Sequence, residues 1–294
     1  MKTIKIPREF NLDYKTTNNF LGQVNSIDLN SSDKDVILDF GENIWFNAEL
    51  TTFLGAVITR FNNNGFRVYI SELSNKVELI LKKNGFLTAY GLKSGTEDTY
   101  ETTIPFYFVP AKSIKEIDQY LDEKVFSKIS KLRESTISPS GIELMENAVY
   151  EVVHNIKEHS ESTHVIMCGQ YYPTKEKVVF TIADIGVSLP KKVSENMDYL
   201  ISDLECIDWA VKKGNSTKEI QSSGLGLYDI SNQLGKSGRL HIISRNAYWV
   251  MEKGNITSKK TLDHTYFGTL LNLEFHLDTS HMIDDIDEIM DIFF

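Results

Sequence analysis

The chain is poor in the residues that secreted and membrane proteins depend on. Its 294 residues include 2 cysteines, Cys168 and Cys206, and no CxxC pair, which excludes a disulfide framework and favours a reducing compartment. No apolar run approaches the roughly 18 residues that a membrane span requires. The opening stretch MKTIKIPREF lacks the apolar core of a signal peptide. These absences predict a cytoplasmic protein with no membrane partner.

Positive charge is also scarce. The sequence has 31 Lys and Arg residues against 41 Asp and Glu residues, a formal net charge of −10. This balance disfavours a diffuse basic surface for nucleic acid or anionic lipid, so we expect no nucleic-acid partner. A hydrophobic content of 41% over this length suffices for one large domain or two ordinary ones.

The first ninety residues show a strand–helix–strand–helix pattern. DVILDF, from Asp35 to Phe40, and the later RVYIS are short apolar runs that predict buried strands. The helix between them is indicated by an apolar stripe with spacings of three and four. The stripe consists of Leu50, Phe53, Leu54, Val57, Ile58 and Phe61. SNKVELILKKNG predicts a second helix, so short crossovers and a parallel or mixed sheet follow.

Residues 22–90 resemble a STAS domain, the small module of anti-sigma-factor antagonists. The resemblance rests on VILDF, IWFNAELTTFL and VELILKKNGF. Signalling members of that family begin the first helix with a phosphorylatable serine, where this chain has Asn47 and Ala48. Since Ala48 has no hydroxyl, the resemblance implies a domain for interaction or sensing. Phosphorylation of the nearby Thr51 or Thr52 is the alternative.

A connector separates this module from the rest of the chain. GLKSGTEDTYETT is polar and predicts a boundary near residue 100, and IPFYFVP predicts a strand or an interdomain plug. A helical apolar stripe then follows. It comprises Ile114, Ile117, Leu121, Val125, Ile129 and Leu132. This helix packs either on its own domain or against a second subunit, which would make a homodimer.

Three later stretches each have one ordinary and one chemical interpretation. Glu151 and Asn155 lie four apart on a predicted helix, so they share one side; they form either a solvated edge or a site for a divalent ion and a water. Asp184 ends a predicted strand and is followed two residues later by Gly186. Asp184 either forms an ordinary Asx turn or accepts hydrogen bonds from an amine of a ligand. SSGLGL places glycines at a helix start, where backbone N–H groups can meet phosphate, although a lone GLG is weak evidence.

In this order the three stretches resemble the GHKL ATPase family, which includes gyrase-type ATPases, sensor histidine kinases and anti-sigma-factor serine kinases. The resemblance covers about residues 140–278. The ExxxN motif matches Glu151 and Asn155, and DxGxG matches Asp184 and Gly186, with Ser188 at the second glycine. The remaining matches are Gly224, Gly226 and Leu227 for GxGL, and Gly268 and Thr269 for the GT that opens the last strand.

The resemblance implies ATP and Mg²⁺ as cofactors and a role for each matched residue. Glu151 would be the general base, Asn155 the Mg²⁺ ligand and Asp184 the acceptor for the adenine amine. Thr269 would support that contact through water, and a lid from about residue 191 to 223 would close over the phosphates. The full expected nucleotide-binding set is Asn155, Asp184, Gly186, Ser188, Ser216, Thr217, Ser223, Gly224, Leu225, Gly226, Leu227 and Thr269. If Ser188 needs a positive φ, it costs on the order of 1 kcal/mol.

Three histidines near the first motif invite a metal interpretation. They are His154, His159 and His164; His154 and His159 are five apart and therefore face different sides of a helix, so joint ligation is not expected. Structural histidines are the favoured interpretation.

The expected architecture is a two-domain α/β chain. It has a STAS-like βαβα module in residues 1–100, a connector in 101–140, a GHKL-type α/β sandwich in 141–278 and an amphipathic helix in 279–294. The expected function is that of a regulatory ATPase or a serine/threonine kinase acting on or with a separate STAS-like protein. The alternative is an ATP-gated interaction scaffold with little or no turnover.

Overall fold

The N-terminal part of the chain is a small parallel sheet covered by helices. The computed structural model describes residues 2–128, 139–215, 227–235 and 238–277. In this part, three strands pair in parallel in the order β1-β3-β5, and a two-stranded ribbon joins β2 to β4. The strands are β1 (Lys2–Lys5), β2 (Glu9–Phe10), β3 (Asp35–Asp39), β4 (Trp45–Phe46) and β5 (Arg67–Ser71). The helices are α1 (Tyr14–Asn25), α2 (Thr51–Asn63), α3 (Asn75–Lys83) and α4 (Phe86–Ala89).

Local sequence accounts for most of these elements. The side chain of Asp13 accepts a hydrogen bond from the backbone of Thr16 and caps α1, and Ser74 caps α3 in the same way through Val77. The predicted strands and helices between residues 35 and 85 are confirmed as β3, α2, β5 and α3. The mixed α/β class is confirmed as well, with several sheets and helices in the described residues.

The second sheet is antiparallel and has five strands in the order β6-β7-β8-β10-β9. IPFYFVP is confirmed as a strand, and it forms one edge of this sheet as β6. The predicted strands that end in Asp184 and that include Gly268–Thr269 lie next to each other as β8 and β10. The strands are β6 (Thr103–Pro110), β7 (His164–Tyr172), β8 (Lys177–Asp184), β9 (Gly238–Glu252) and β10 (Asn255–His276).

Helices of the C-terminal part cover one face of the five-stranded sheet. Alternate residues of β10, including Leu271, Leu273 and Phe275, join Ile182 and Val152 in one apolar core, which confirms the predicted alternation. We call this core the helix-side core. The helices are α5 (Ile114–Tyr120), which continues as a π-helix (Leu121–Phe126), α6 (Pro139–His159), α7 (Leu189–Ser194), α8 (Asp203–Ala210) and α9 (Leu227–Gly235).

The N-terminal module covers the opposite face of the same sheet. Phe53 and Leu54 of α2 share a second core, the module-side core, with Ala183, Ile243 and Leu270 of the sheet. Neighbouring residues such as Ala183 and Ile182 therefore enter opposite cores. The predicted boundary near residue 100 lies just before β6, but apolar packing joins the residues on either side of it.

The connector helix packs on its own chain where it is described. Ile117, Leu121 and Val125 are buried in the helix-side core, and Ile114 is exposed. Ile129 and Leu132, like the expected tail helix in 279–294, lie outside the described residues. Within the parts of the chain that the structure describes, no helix combines the length and the apolar character needed to cross a membrane.

The packing of α2 on the sheet predicts that a side chain at Gly55 is harmful. A Cβ there would lie 2.8 Å from a ring carbon of Phe106 and 3.0 Å from Cγ2 of Ile166. Gly55→Val should therefore lower the free energy of unfolding by about 1–3 kcal/mol, as overpacking does. Urea denaturation followed by tryptophan fluorescence measures this, because Trp249 is buried in the five-stranded sheet.

The control is Asn19→Val, at an exposed position within α1 where the two residues have similar helix propensity. If the module did not pack on the sheet, valine at Gly55 would stabilise α2, because valine is the better helix former. A gain in stability would therefore contradict the described packing.

Candidate functional site

The predicted pair on α6 lies side by side. Met145, Val149 and Val152 are buried against the sheet, which leaves Glu151 and Asn155 half-buried on an adjoining side of the helix. The amide nitrogen of Asn155 donates a hydrogen bond to Oε1 of Glu151 at 3.1 Å. Because the amide nitrogen faces the carboxylate, the amide oxygen is turned away from it. This orientation suits a hard oxygen ligand beside a carboxylate.

Asp184 is a buried carboxylate at the end of β8. Its residue is 1% exposed, and its backbone pairs with Val165 on one side and Thr269 on the other. Burial raises the pKa of this carboxyl to about 7, although the backbone N–H groups of Gly186 and Thr269 act in the opposite direction. Gly186 donates its N–H to Oδ1 at 2.7 Å. A buried acid that titrates near neutrality is a candidate functional group.

Asp184 and the α6 pair lie on the same side of the sheet. Phe180 and Ile182, four and two residues before Asp184, enter the helix-side core, so the alternation of a strand directs Asp184 to that side. The loop after Asp184 is also fastened to the end of α6. Val187 donates its N–H to the carbonyl of Ser160, which directly follows α6. The carboxylate and the helix pair are thus held in one region of the fold.

Two glycines allow backbone segments to meet beside Asp184. A Cβ on Gly186 would lie 2.0 Å from the carbonyl oxygen of Ser160, and one on Gly268 would lie 2.1 Å from that of Asp184. Both contacts are with backbone, which has no rotamer that could relieve the clash. Close packing of the backbone therefore requires glycine at both positions.

The hydroxyl of Thr269 connects Asp184 to the next loop. Its Oγ1 accepts the N–H of Leu189, the first residue of α7, at 3.0 Å, and lies 2.9 Å from Oγ of Ser244. Ser244 donates its only proton to the carbonyl of Gly268, so Thr269 must donate to Ser244. Sequence reasoning missed Ser244. The available signal was a buried serine within an apolar strand, but its pairing with Thr269 depends on the register of β9 and β10.

Ser188 does not carry the expected strain. Its φ is −68° and its ψ is 152°, an extended conformation that serine adopts freely, and it stands at the N-cap of α7. The condition under which serine was expected to cost stability is therefore not met. The side chain is buried, and Pro190 follows at the helix start, where proline is favoured.

The phosphate side of the expected site is described only in part. Leu227 begins α9 and packs, half-buried, on the helix-side core. The expected lid is described as far as residue 215. The other expected phosphate-side residues lie outside the described residues, and they are Ser216, Thr217, Ser223, Gly224, Leu225 and Gly226.

The described histidine side chains near α6, those of His154 and His164, lie in different environments. The ring of His164 stacks on Phe108 with centroids 4.2 Å apart, and its Nδ1 lies 2.9 Å from Oγ1 of Thr163. His154 is exposed on α6. In the described part of the chain, no group of three or more His, Cys, Asp or Glu side chains could hold a metal ion.

Comparison with known proteins yields little. No protein-family model matches the chain, and no curated protein matches it. Among solved structures it is similar to the B-subunit of the DNA gyrase from Myxococcus xanthus, with a TM-score of 0.26 and 8% identity. The matched region covers 57% of this chain and 48% of the gyrase chain, so this chain spans about half the length of that relative. A likeness this low carries no conclusion about function.

Because the Asp184 carboxyl is buried, we expect its ionisation to lower the free energy of unfolding as pH rises. The pKa of Asp184 is about 7 in the folded chain, above the ordinary value near 4. The protonated carboxyl therefore adds to the free energy of unfolding in full below about pH 4, and this contribution is lost as pH rises through 7. Asp184→Asn should therefore raise the free energy of unfolding at pH 8, by on the order of 2–4 kcal/mol, and change it little at pH 4. Urea titrations at the two pH values measure the difference.

Asp118→Asn, on the exposed side of α5, removes a carboxylate without burial and is the matched control. An Asp184→Asn effect of equal size at pH 4 and pH 8 would show that this carboxyl does not titrate between them, contrary to the described burial.

Proposed function

We propose that the chain binds ATP with Mg²⁺ and acts as a GHKL-type regulatory ATPase or serine/threonine protein kinase. The observation that carries the proposal is the joint placement of buried Asp184, Thr269 and the Glu151–Asn155 pair on one side of one sheet. The proposed domains keep the bounds 1–100, 101–140, 141–278 and 279–294, with a STAS-like N-terminal module.

Asp184 is the proposed acceptor for the exocyclic amine of adenine. Gly186 donates its N–H to Oδ1, and each carboxylate oxygen has two lone pairs, so the carboxylate can accept a further hydrogen bond from a ligand. Because the carboxyl is withdrawn from water, a base that presents a carbonyl in place of the amine would leave it buried and unpaired. Such mismatches discriminate strongly between otherwise similar ligands. Thr269 keeps one lone pair for a bridging water after its bonds to Leu189 and Ser244.

Glu151 and Asn155 are the proposed catalytic pair. The oxygen of Asn155 would hold Mg²⁺, which supplies charge neutralisation for the phosphates when bound. The hydrogen bond from Asn155 fixes Oε1 of Glu151, and the carboxylate then orients and deprotonates the attacking group. The oxygen donors present, half-buried and adjacent, fit a hard cation. The phosphates would meet the N–H groups that lead into α9.

A kinase of this kind would act on a separate protein and not on its own module. The start of α2 is sealed against the sheet, where Ala48 is 8% exposed and Thr51 and Thr52 are fully buried. Thr51 donates its hydroxyl proton to the carbonyl of Ala48, and Thr52 donates to that of Thr181 on β8. The proposed substrate is therefore a free STAS-like partner. The second candidate, an ATP-gated scaffold or homodimer switch, needs the same pocket but no base.

Nucleotide binding is the first test. Calorimetry should show that ATP–Mg²⁺ binds and that GTP binds at least tenfold more weakly. Because the amine needs an ionised acceptor, affinity should reach a plateau above pH 7 and fall about tenfold per unit below it. Asp184→Asn should remove most of the affinity, since an amide can turn its donor towards the ligand, while Asp118→Asn should bind as the unaltered chain does. Equal binding of ATP and GTP would contradict the assignment of Asp184.

The role of Glu151 is tested with γ-labelled ATP, by following label into free phosphate and into a STAS-like protein. Glu151→Gln should retain nucleotide binding and slow label release by about 10²–10⁴-fold, the usual contribution of a general base. Glu143→Gln, exposed on the same helix, is the control. If the unaltered chain binds ATP but releases no label to either acceptor, the scaffold candidate replaces the enzyme.

A further inference from the structure

The strand that carries Thr269 is irregular just before it reaches the candidate site. The pairing of β10 with β9 shifts register between Thr261 and Tyr266 and again between Tyr266 and Thr269. Residues 262–267, which we call the β10 bulge, therefore depart from regular pairing with β9. A bulge locally disrupts the strand ladder, which leaves its residues able to make contacts with other elements.

Helix α1 of the N-terminal module supplies such contacts. The amide of Asn18 donates to Oδ2 of Asp263 at 2.7 Å and accepts the backbone N–H of Asp263 at 2.9 Å. Asn25, two turns later, donates to the carbonyl of Thr265 at 2.8 Å. Between them, a Cβ on Gly22 would lie 2.9 Å from the ring of His264, so helix and bulge are in close contact. Asn18 is 9% exposed, and its two hydrogen bonds are therefore largely shielded from water.

Helix α2 contacts the same bulge. Phe53 packs edge-on against Tyr266, with centroids 5.5 Å apart and an interplanar angle of 74°. The guanidinium of Arg60 lies 4.5 Å from the ring centroid of Phe267 and donates to Oδ1 of Asn25 at 3.0 Å. The two helices of the module are thus joined to each other and to consecutive residues of the bulge.

The β10 bulge is joined to the candidate site directly, with no intervening loop. Gly268 follows it directly, and its backbone lies against the carbonyl of Asp184 with no room for a Cβ. Thr269 then pairs with Asp184 and accepts the N–H of Leu189 at the start of α7. A displacement of the bulge therefore moves the backbone beside Asp184 and the hydroxyl that holds α7.

We propose that α1 and the β10 bulge form a clamp through which the N-terminal module sets the geometry of the Asp184–Thr269 pocket, with Asn18 and Asp263 as its positioning pair. The identity of the pocket's ligand rests on the proposed function, but the clamp does not. Coupling between two sites is reciprocal. Whatever displaces the module therefore weakens ligand binding, and a bound ligand strengthens the docking of the module.

The test uses the full chain with Asn18→Ala, Asp263→Ala and both together. ATP–Mg²⁺ affinity is measured by calorimetry, and the titration midpoint of the Asp184 carboxyl is followed by ¹³C NMR without nucleotide. We expect Asn18→Ala to weaken ATP binding at least about fivefold, the lower end of site-to-site coupling, and the two substitutions to be non-additive. Water admitted beside Asp184 should also lower its midpoint from about 7, because burial is what raises the pKa.

Two further variants separate positioning from general stability. The swap Asn18→Asp with Asp263→Asn can restore both hydrogen bonds and should return affinity and midpoint to their original values. Arg67→Ala, which removes an exposed bidentate pair with Asp35 elsewhere in the module, should change neither.

The outcomes distinguish the clamp from the proposed function. If the unaltered chain binds no nucleotide, the proposed function fails, while a lowered Asp184 midpoint in Asn18→Ala still supports the clamp. If Asn18→Ala matches Arg67→Ala in both measurements, the clamp is overturned. If Asn18→Ala does not fold, the swap decides: recovery of folding, affinity and midpoint supports the pair, and a folded swap variant with a shifted midpoint refutes it.

Discussion

Burial of the five-stranded sheet on both faces is the constraint on which the described fold depends. Adjacent residues such as Ile182 and Ala183, or Leu271 and Leu270, enter opposite apolar cores. An antiparallel sheet can leave one face to water, but this one carries apolar side chains on both. Without the N-terminal module, the face with Ala183 and Leu270 would be a large exposed apolar patch. The apolar side chains of the module therefore complete the core on that face of the sheet.

The same constraint produces the chemistry at Asp184. A carboxylate at the end of a central strand, closed in by glycine contacts on both sides, loses its water and is stabilised as the neutral acid. Keeping such a group costs folding stability at neutral pH. Sites that bind ligands commonly retain groups of this kind, because the interaction they offer a ligand is strong where water is excluded.

Sequence patterns predicted the elements whose apolar spacing is regular, and the Glu151–Asn155 pair, whose proximity follows from helical geometry alone. They did not reveal α1, because its buried side includes the polar Thr17 and Asn18 alongside three apolar residues. Nor could they reveal the roles of Ser244 or Gly268. Each depends on which backbone lies opposite, and that is set by strand register and by the β10 bulge, which no local spacing records.

The placement of the module also bears on what a bound nucleotide could do. The start of α2, with Glu49 held by a 2.6 Å hydrogen bond from Tyr172, lies on the module side of the sheet. Glu151 and Asn155 lie on the helix side, so a sheet separates them from every hydroxyl at that helix start. Transfer of a phosphoryl group within the chain would require the module to leave a core that it shares with the sheet. On the proposed function, the hydroxyls at the start of α2 are therefore not the acceptors of a phosphoryl group transferred at Glu151.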